Sequence, residues 1–129
     1  MITVGYSADR FGRAALEYGI EEAKRRNTTL LVVNSTSGDS YADPHFADRH
    51  EVHDVEQHLR ECGVDFELIQ PVGVDTADEL LRAMDRVDAE LLVIGIRDRN
   101  PVGKLLLGSV SQRLLLECRK PVLAVKPTD

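Results

Sequence analysis

The chain has 129 residues, of which 43% are hydrophobic and 29% charged, and its formal net charge is −6. That length and balance fit one globular domain, residues 1–129, with enough apolar material for a core, and they exclude a disordered chain. The acidic balance argues against broad nucleic-acid binding, which needs a cationic surface, and no apolar run is long enough to span a membrane.

No basic region followed by a signal-type apolar core opens the chain, so a cytoplasmic location is the expectation. The first predicted element is a strand over Ile2-Thr3-Val4-Gly5-Tyr6. A helix follows from Arg10 to about Arg26, where Ala15, Leu16, Gly19 and Ala23 recur at helical spacing. Thr29 to Asn34 is a near-continuous apolar run, the pattern of a parallel strand covered on both faces.

Residues 35 to about 46 read as a loop, with Gly38, Asp39, Ser40, Asp43 and Pro44 clustered. Tyr41 and Phe46 in it are candidates for a lid or a packing contact. A charged helix is predicted from about Ala47 to Glu61, with Gly63 as its stop. His50, Asp54 and His58 are spaced four apart on it, and His53 lies between them. A zinc site can be drawn from these residues, although Asp48, Arg49, Glu51, Glu56 and Arg60 around them make a solvated polar face the simpler reading. Cys62 and Cys118 are too few and too far apart for a metal knuckle or a redox pair.

Asp65 to Ile69 is the third predicted strand. Thr76 and Glu79 stand in capping-box spacing and open a helix to about Val87, with Leu80, Leu81, Met84 and Val87 facing inward. Leu91-Leu92-Val93-Ile94 is the most convincing buried strand. After a long loop, Ser109 and Gln112 again stand in capping-box spacing, ahead of a last helix to about Glu117 whose Leu114, Leu115 and Leu116 supply apolar surface. Val122 to Val125 is the last strand. Strands alternating with helices of this length give an α/β fold with a parallel sheet and helices on both faces.

The loop from Gly95 to Ser111 carries most of the chemistry. A glycine-bearing connection between the carboxyl end of a strand and a helix N-terminus is suited to phosphate, because free backbone N–H groups and the helix dipole both point there. It is not a Walker loop. In the matching frame Asp98 stands at the first glycine and Leu105 at the magnesium-binding hydroxyl. No pair of carboxylates stands out as general acid and base, and the histidines lie far from Ser109 in sequence, so no catalytic residue is assigned.

The same stretch resembles the universal stress protein family, whose fourth strand is followed by Gly-x2-Gly-x9-Gly-Ser/Thr. Here the frame reads Gly95-x2-Asp98-x9-Gly108-Ser109, with Asp98 in place of the second glycine. The resemblance extends to the opening strand and helix and to the closing Lys120-Pro121-Val122-Leu123-Ala124-Val125-Lys126. It implies a single open five-stranded sheet of order 3-2-1-4-5, with a ligand crevice between strands 1 and 4. It also implies binding of ATP or a related adenine nucleotide, with Mg²⁺ accompanying a triphosphate.

Carried over position by position, Gly95, Arg97, Gly108, Ser109, Val110 and Ser111 meet the phosphates, and Ile94 packs near the nucleoside. Ser35 offers backbone to the adenine. Ser7 stands where nucleotide-binding members commonly have Asp, and Asp9 lies two residues further on. The departures at Asp98 and Ser7 motivate an alternative, a dimeric stress or interaction module without nucleotide, working through an unidentified protein partner. Slow ATP hydrolysis is a third reading that no assigned residue supports. The family pairs its last strand with that of a second subunit, so a homodimer through Val122, Leu123, Ala124 and Val125 is expected.

Overall fold

The computed structural model describes residues 1–36, 38, 43–96 and 107–127. Five parallel strands form one sheet: β1 (Ile2–Gly5), β2 (Leu30–Val33), β3 (Phe66–Ile69), β4 (Leu91–Gly95) and β5 (Val122–Val125). Their order is β3-β2-β1-β4-β5, as the family resemblance implies. The helices are α1 (Arg10–Arg26), α2 (Arg49–Cys62), α3 (Thr76–Met84) and α4 (Ser109–Glu117).

Successive side chains of a strand point to opposite faces, and β2 and β4 are apolar on both, whereas β1 is apolar on one face and carries Thr3 and Gly5 on the other. On one face Ile2, Val4, Leu30, Val32, Leu91 and Val93 pack with Ala15, Leu16, Ile20 and Ala23 of α1 and with Val55 and Leu59 of α2. On the other, Leu31, Val33, Leu92 and Ile94 meet Ala77, Leu80 and Met84 of α3 and Leu114 of α4. Burying a side chain such as Leu59 contributes about 1.5–3 kcal/mol each, which is why the apolar runs dominated the sequence pattern. None of the described helices is long and apolar enough to cross a membrane.

The helix ends correct several sequence expectations. Asp75, not Thr76, caps α3, accepting the Asp78 N–H at 2.9 Å. A carboxylate there also faces the positive end of the helix dipole. Gly108, not Ser109, occupies the cap position of α4, where no side chain caps the helix. Asp48 caps α2 through the Glu51 N–H at 2.8 Å, so that helix starts at Arg49, two residues after the expected start at about Ala47. Gly63 stops α2 in the left-handed region, at φ 75°.

Two apolar expectations also fail. The α3 helix ends at Met84, and Val87 beyond it is fully exposed. On α4, Leu114 is buried, but successive residues step around a helix by about 100°. That rotation carries Leu115 and Leu116 outward, and Leu116 is 77% exposed.

Candidate functional site

At the carboxyl ends of β1 and β4 the chain departs in opposite directions, toward β2 on one side and β5 on the other. Open α/β sheets bind ligands in the crevice at such a reversal. Two cavities occupy it. The inner one, about 250 Å³, is walled by Ser35, Leu80, Ile94 and Val110 among others. The outer one, about 510 Å³, is walled by Asp9, Phe11, Leu107 and Gly108. Ser7, His45, Gly95 and Ser111 line both, so the two are neighbours in one cleft. A larger cavity of about 610 Å³ lies elsewhere, against α2 and the segment from Asp43 to Arg49, and takes in none of the residues singled out for phosphate.

The glycines of the motif differ in role. A Cβ on Gly95 would collide with the backbone carbonyl of Phe11, so glycine there lets α1 start close against β4. Gly95 is the last residue of β4 itself. Among the described residues Gly108 has nothing within 4 Å of where a Cβ would stand, and its φ of −66° is open to any residue. Its missing side chain serves no packing against the described residues, and no side chain caps the start of α4. A helix leaves its first N–H groups without partners in the helix, here at Ser109, Val110 and Ser111.

Ser7 is committed to a local contact. Its hydroxyl donates to Asp9 Oδ1 at 2.8 Å, and the same oxygen caps α1 by accepting the Gly12 N–H at 2.9 Å. Asp9 Oδ2 lies 3.0 Å from His45 Nδ1. Burial pushes the Asp9 carboxyl upward, but the Gly12 N–H, the Ser7 hydroxyl and His45 outweigh it and hold it below the ordinary value. The Ser35 hydroxyl donates to Thr76 Oγ1 at 2.9 Å, tying the end of β2 to the start of α3 across the inner cavity.

Residues that the sequence reading passed over build the rest. Asn34, 2% exposed, ends β2. Its amide N–H₂ donates to the carbonyls of Tyr6 at 2.9 Å and His45 at 3.1 Å. Its oxygen accepts the Ala47 N–H at 2.7 Å and Gln70 Nε2 at 3.1 Å. One buried amide thus fastens the segment from Asp43 to Ala47 over the ends of β1, β2 and β3. A lone polar residue closing the apolar run Leu30–Val33 was the signal available for it. His45 had no such signal: it lies far from Gly108 and Ser111 in sequence, yet lines the same cavity.

Tyr6, also at this end of the sheet, donates its hydroxyl to Glu51, which pairs with Arg13 at 3.3 Å. Burial and the neighbouring Glu51 carboxylate push the Tyr6 phenol well above its ordinary range. Asp43 is held low by the Thr36 hydroxyl.

On α2, His50 pairs with Asp54 at 3.4 Å, but His58 turns to Glu17 at 2.6 Å. Among the described residues no group of three side chains is arranged to hold a metal. Arg97, Asp98, Arg99, Lys104 and Tyr41 lie outside the described residues. Phe46 lines the larger cavity against α2 rather than the crevice.

A universal stress protein of Mycolicibacterium smegmatis (strain ATCC 700084 / mc(2)155) is 75% identical over 127 residues, covering 98% of each chain. The solved structure of a universal stress protein from Archaeoglobus fulgidus superposes with a TM-score of 0.78 at 32% identity, covering 97% of each chain. A universal stress protein of the same organism, solved in complex with dAMP, gives a TM-score of 0.65 at 27% identity over 97% of this chain and 96% of its own. The model of the universal stress protein family matches residues 1–126, and the chain belongs to that family.

Proposed function

We propose that the protein binds ATP or a related adenine nucleotide in the crevice between β1 and β4, and couples that binding to a regulatory or protective role under stress. The base and ribose occupy the inner cavity, against Ile94, Val110 and the backbone near Ser7 and Ser35. The phosphates occupy the outer cavity, against Gly95, Gly108, Ser109, Val110 and Ser111. Arg97 supplies a cation, and Mg²⁺ accompanies a triphosphate. The observation that carries this reading is Gly108, an exposed glycine whose missing side chain opens onto an uncapped helix start. N–H groups presented in this way favour an anion. A related family structure in complex with dAMP supports the choice of an adenine nucleotide.

The working unit is a cytoplasmic homodimer joined along β5. No catalytic residue is assigned.

A second reading, a nucleotide-free interaction module, is favoured by one observation. Ser7 replaces the usual Asp, and Asp9 is engaged by Gly12, Ser7 and His45, so that neither offers an idle carboxylate to a ribose.

Native mass spectrometry of the purified protein with Mg-ATP, beside the Gly108→Asp variant, separates the two. The nucleotide reading expects an adduct on the unmodified chain that the variant loses, because a carboxylate at the cap position takes the N–H groups that the phosphates need. An unmodified chain that carries no nucleotide, either as purified or at millimolar Mg-ATP, establishes the module instead.

A further inference from the structure

We propose that His45 is a phosphate-contacting residue of the crevice, oriented by Asp9, and that its protonation sets how tightly the crevice holds an anionic ligand. The inference rests on the nucleotide reading and extends it to a residue outside the glycine motif.

The placement of His45 is built from several sides. Its N–H donates to Asp43 Oδ1 at 2.9 Å. Its carbonyl accepts the Ala8 N–H at 2.9 Å and the Asn34 amide at 3.1 Å. Its ring nitrogen Nδ1 meets Asp9 Oδ2 at 3.0 Å. An ionised carboxylate can only accept, so Nδ1 carries a proton, and Nε2 is the nitrogen whose protonation changes. The side chain is 65% exposed and the residue lines both cavities of the crevice, together with Ser111 at the start of α4.

Charged groups near it include Asp9, which precedes α1, and Asp43 of its own segment, and Arg10 of α1 lies over the Phe11 ring that lines the same cavity. The packed ends of β1, β2 and α4 contribute Ala8, Asn34, Gly108 and Ser111, which carry no charge. With Nε2 protonated, the imidazolium screens Asp9 and donates to a phosphate oxygen. With Nε2 deprotonated, the ring presents a lone pair to the same anion, and Asp9 keeps its charge with only neutral donors around it, the Gly12 N–H, the Ser7 hydroxyl and the ring Nδ1–H. Anion affinity therefore falls as pH rises through the histidine range.

The test follows the His45 ring and the Gly108 and Ser111 amides of the unmodified protein by NMR, with and without Mg-ATP, beside calorimetry on His45→Gln. Expected are nucleotide shifts at both amides, an upward move of the His45 titration, and an affinity that weakens about tenfold from about pH 6 to about pH 8. The His45→Gln variant loses most of that slope, and adenosine, which has no phosphate, shows no such slope with the unmodified chain. Amides that shift while the His45 titration stays put overturn the role of His45 and leave the nucleotide reading standing. Amides that stay still overturn the nucleotide reading, and this inference with it.

Discussion

Gly95 and the backbone carbonyl of Phe11 approach so closely that no side chain fits between β4 and the first turn of α1. The carbonyl belongs to a helix packed on the sheet and cannot swing aside as a flexible side chain would. Gly95→Ala is therefore expected to destabilise the fold by about 1–3 kcal/mol through overpacking. Thermal or urea unfolding reads this without any ligand. An unchanged midpoint would mean that α1 can retreat from β4, and that Gly95 is glycine for another reason.

The Asn34 amide offers a sharper case. All four of its partners are backbone or side-chain groups drawn from three other parts of the chain. Asn34→Ala leaves the carbonyls of Tyr6 and His45 and the N–H of Ala47 short of partners at a site 2% exposed. Each buried group so stranded costs about 1–3 kcal/mol. The expected loss is about 2–4 kcal/mol after water and relaxation recover part of it. Hydrogen exchange at Ala8 and Ala47 locates the damage, and should accelerate there well before the N–H groups in β1 and β4 respond.

These residues mark where the sequence was readable. The strands were legible because Leu30–Val33 and Leu91–Gly95 are apolar on both faces, a pattern that few structures other than a covered parallel strand produce. The helices were legible by period, and their ends less so. At both α3 and α4 a hydroxyl residue three before a Glu or Gln looked like the cap, yet in each the cap lies one residue earlier. At α3 the Asp75 carboxylate takes the Asp78 N–H, and at α4 an uncapped glycine stands first. Val87 followed the apolar period of α3, but the helix stopped one turn short of it. The candidate site was legible where a motif lies along the chain, as at Gly95 and Gly108. It was hidden where folding assembles it, as at His45 with Asp9, 36 residues apart.

Asp9 predicts a response to acid. Its carboxyl is held below the ordinary value of 3.8, with burial opposing and the Gly12 N–H, the Ser7 hydroxyl and His45 prevailing. The stability this contributes is complete above that value and is lost as pH falls through the lower folded-state value. Asn caps helices about as well as Asp. Asp9→Asn is accordingly expected to keep α1 and to flatten the part of the stability curve below the ordinary carboxylate range. Denaturant unfolding from neutral pH down to about pH 3 gives the comparison. Parallel curves for the two proteins would show that Asp9 gains nothing from the Gly12 N–H, the Ser7 hydroxyl and His45.

The β5 edge permits a test of dimerisation that spares the fold. The N–H groups of Leu92 and Ile96 donate to the carbonyls of Pro121 and Val125. In a parallel ladder, alternate residues of a strand bond to alternate sides. Pro121, Leu123 and Val125 therefore face β4, and the backbone groups of Val122 and Ala124 face the open edge. Proline at an edge position removes only an outward donor. Ala124→Pro should leave the β4 ladder and the circular dichroism of the chain intact while blocking pairing with a second β5. A dimer by light scattering that becomes a monomer in the variant supports assembly through this edge. A dimer that survives the proline places the contact elsewhere, with exposed Leu116 of α4 the next position to charge.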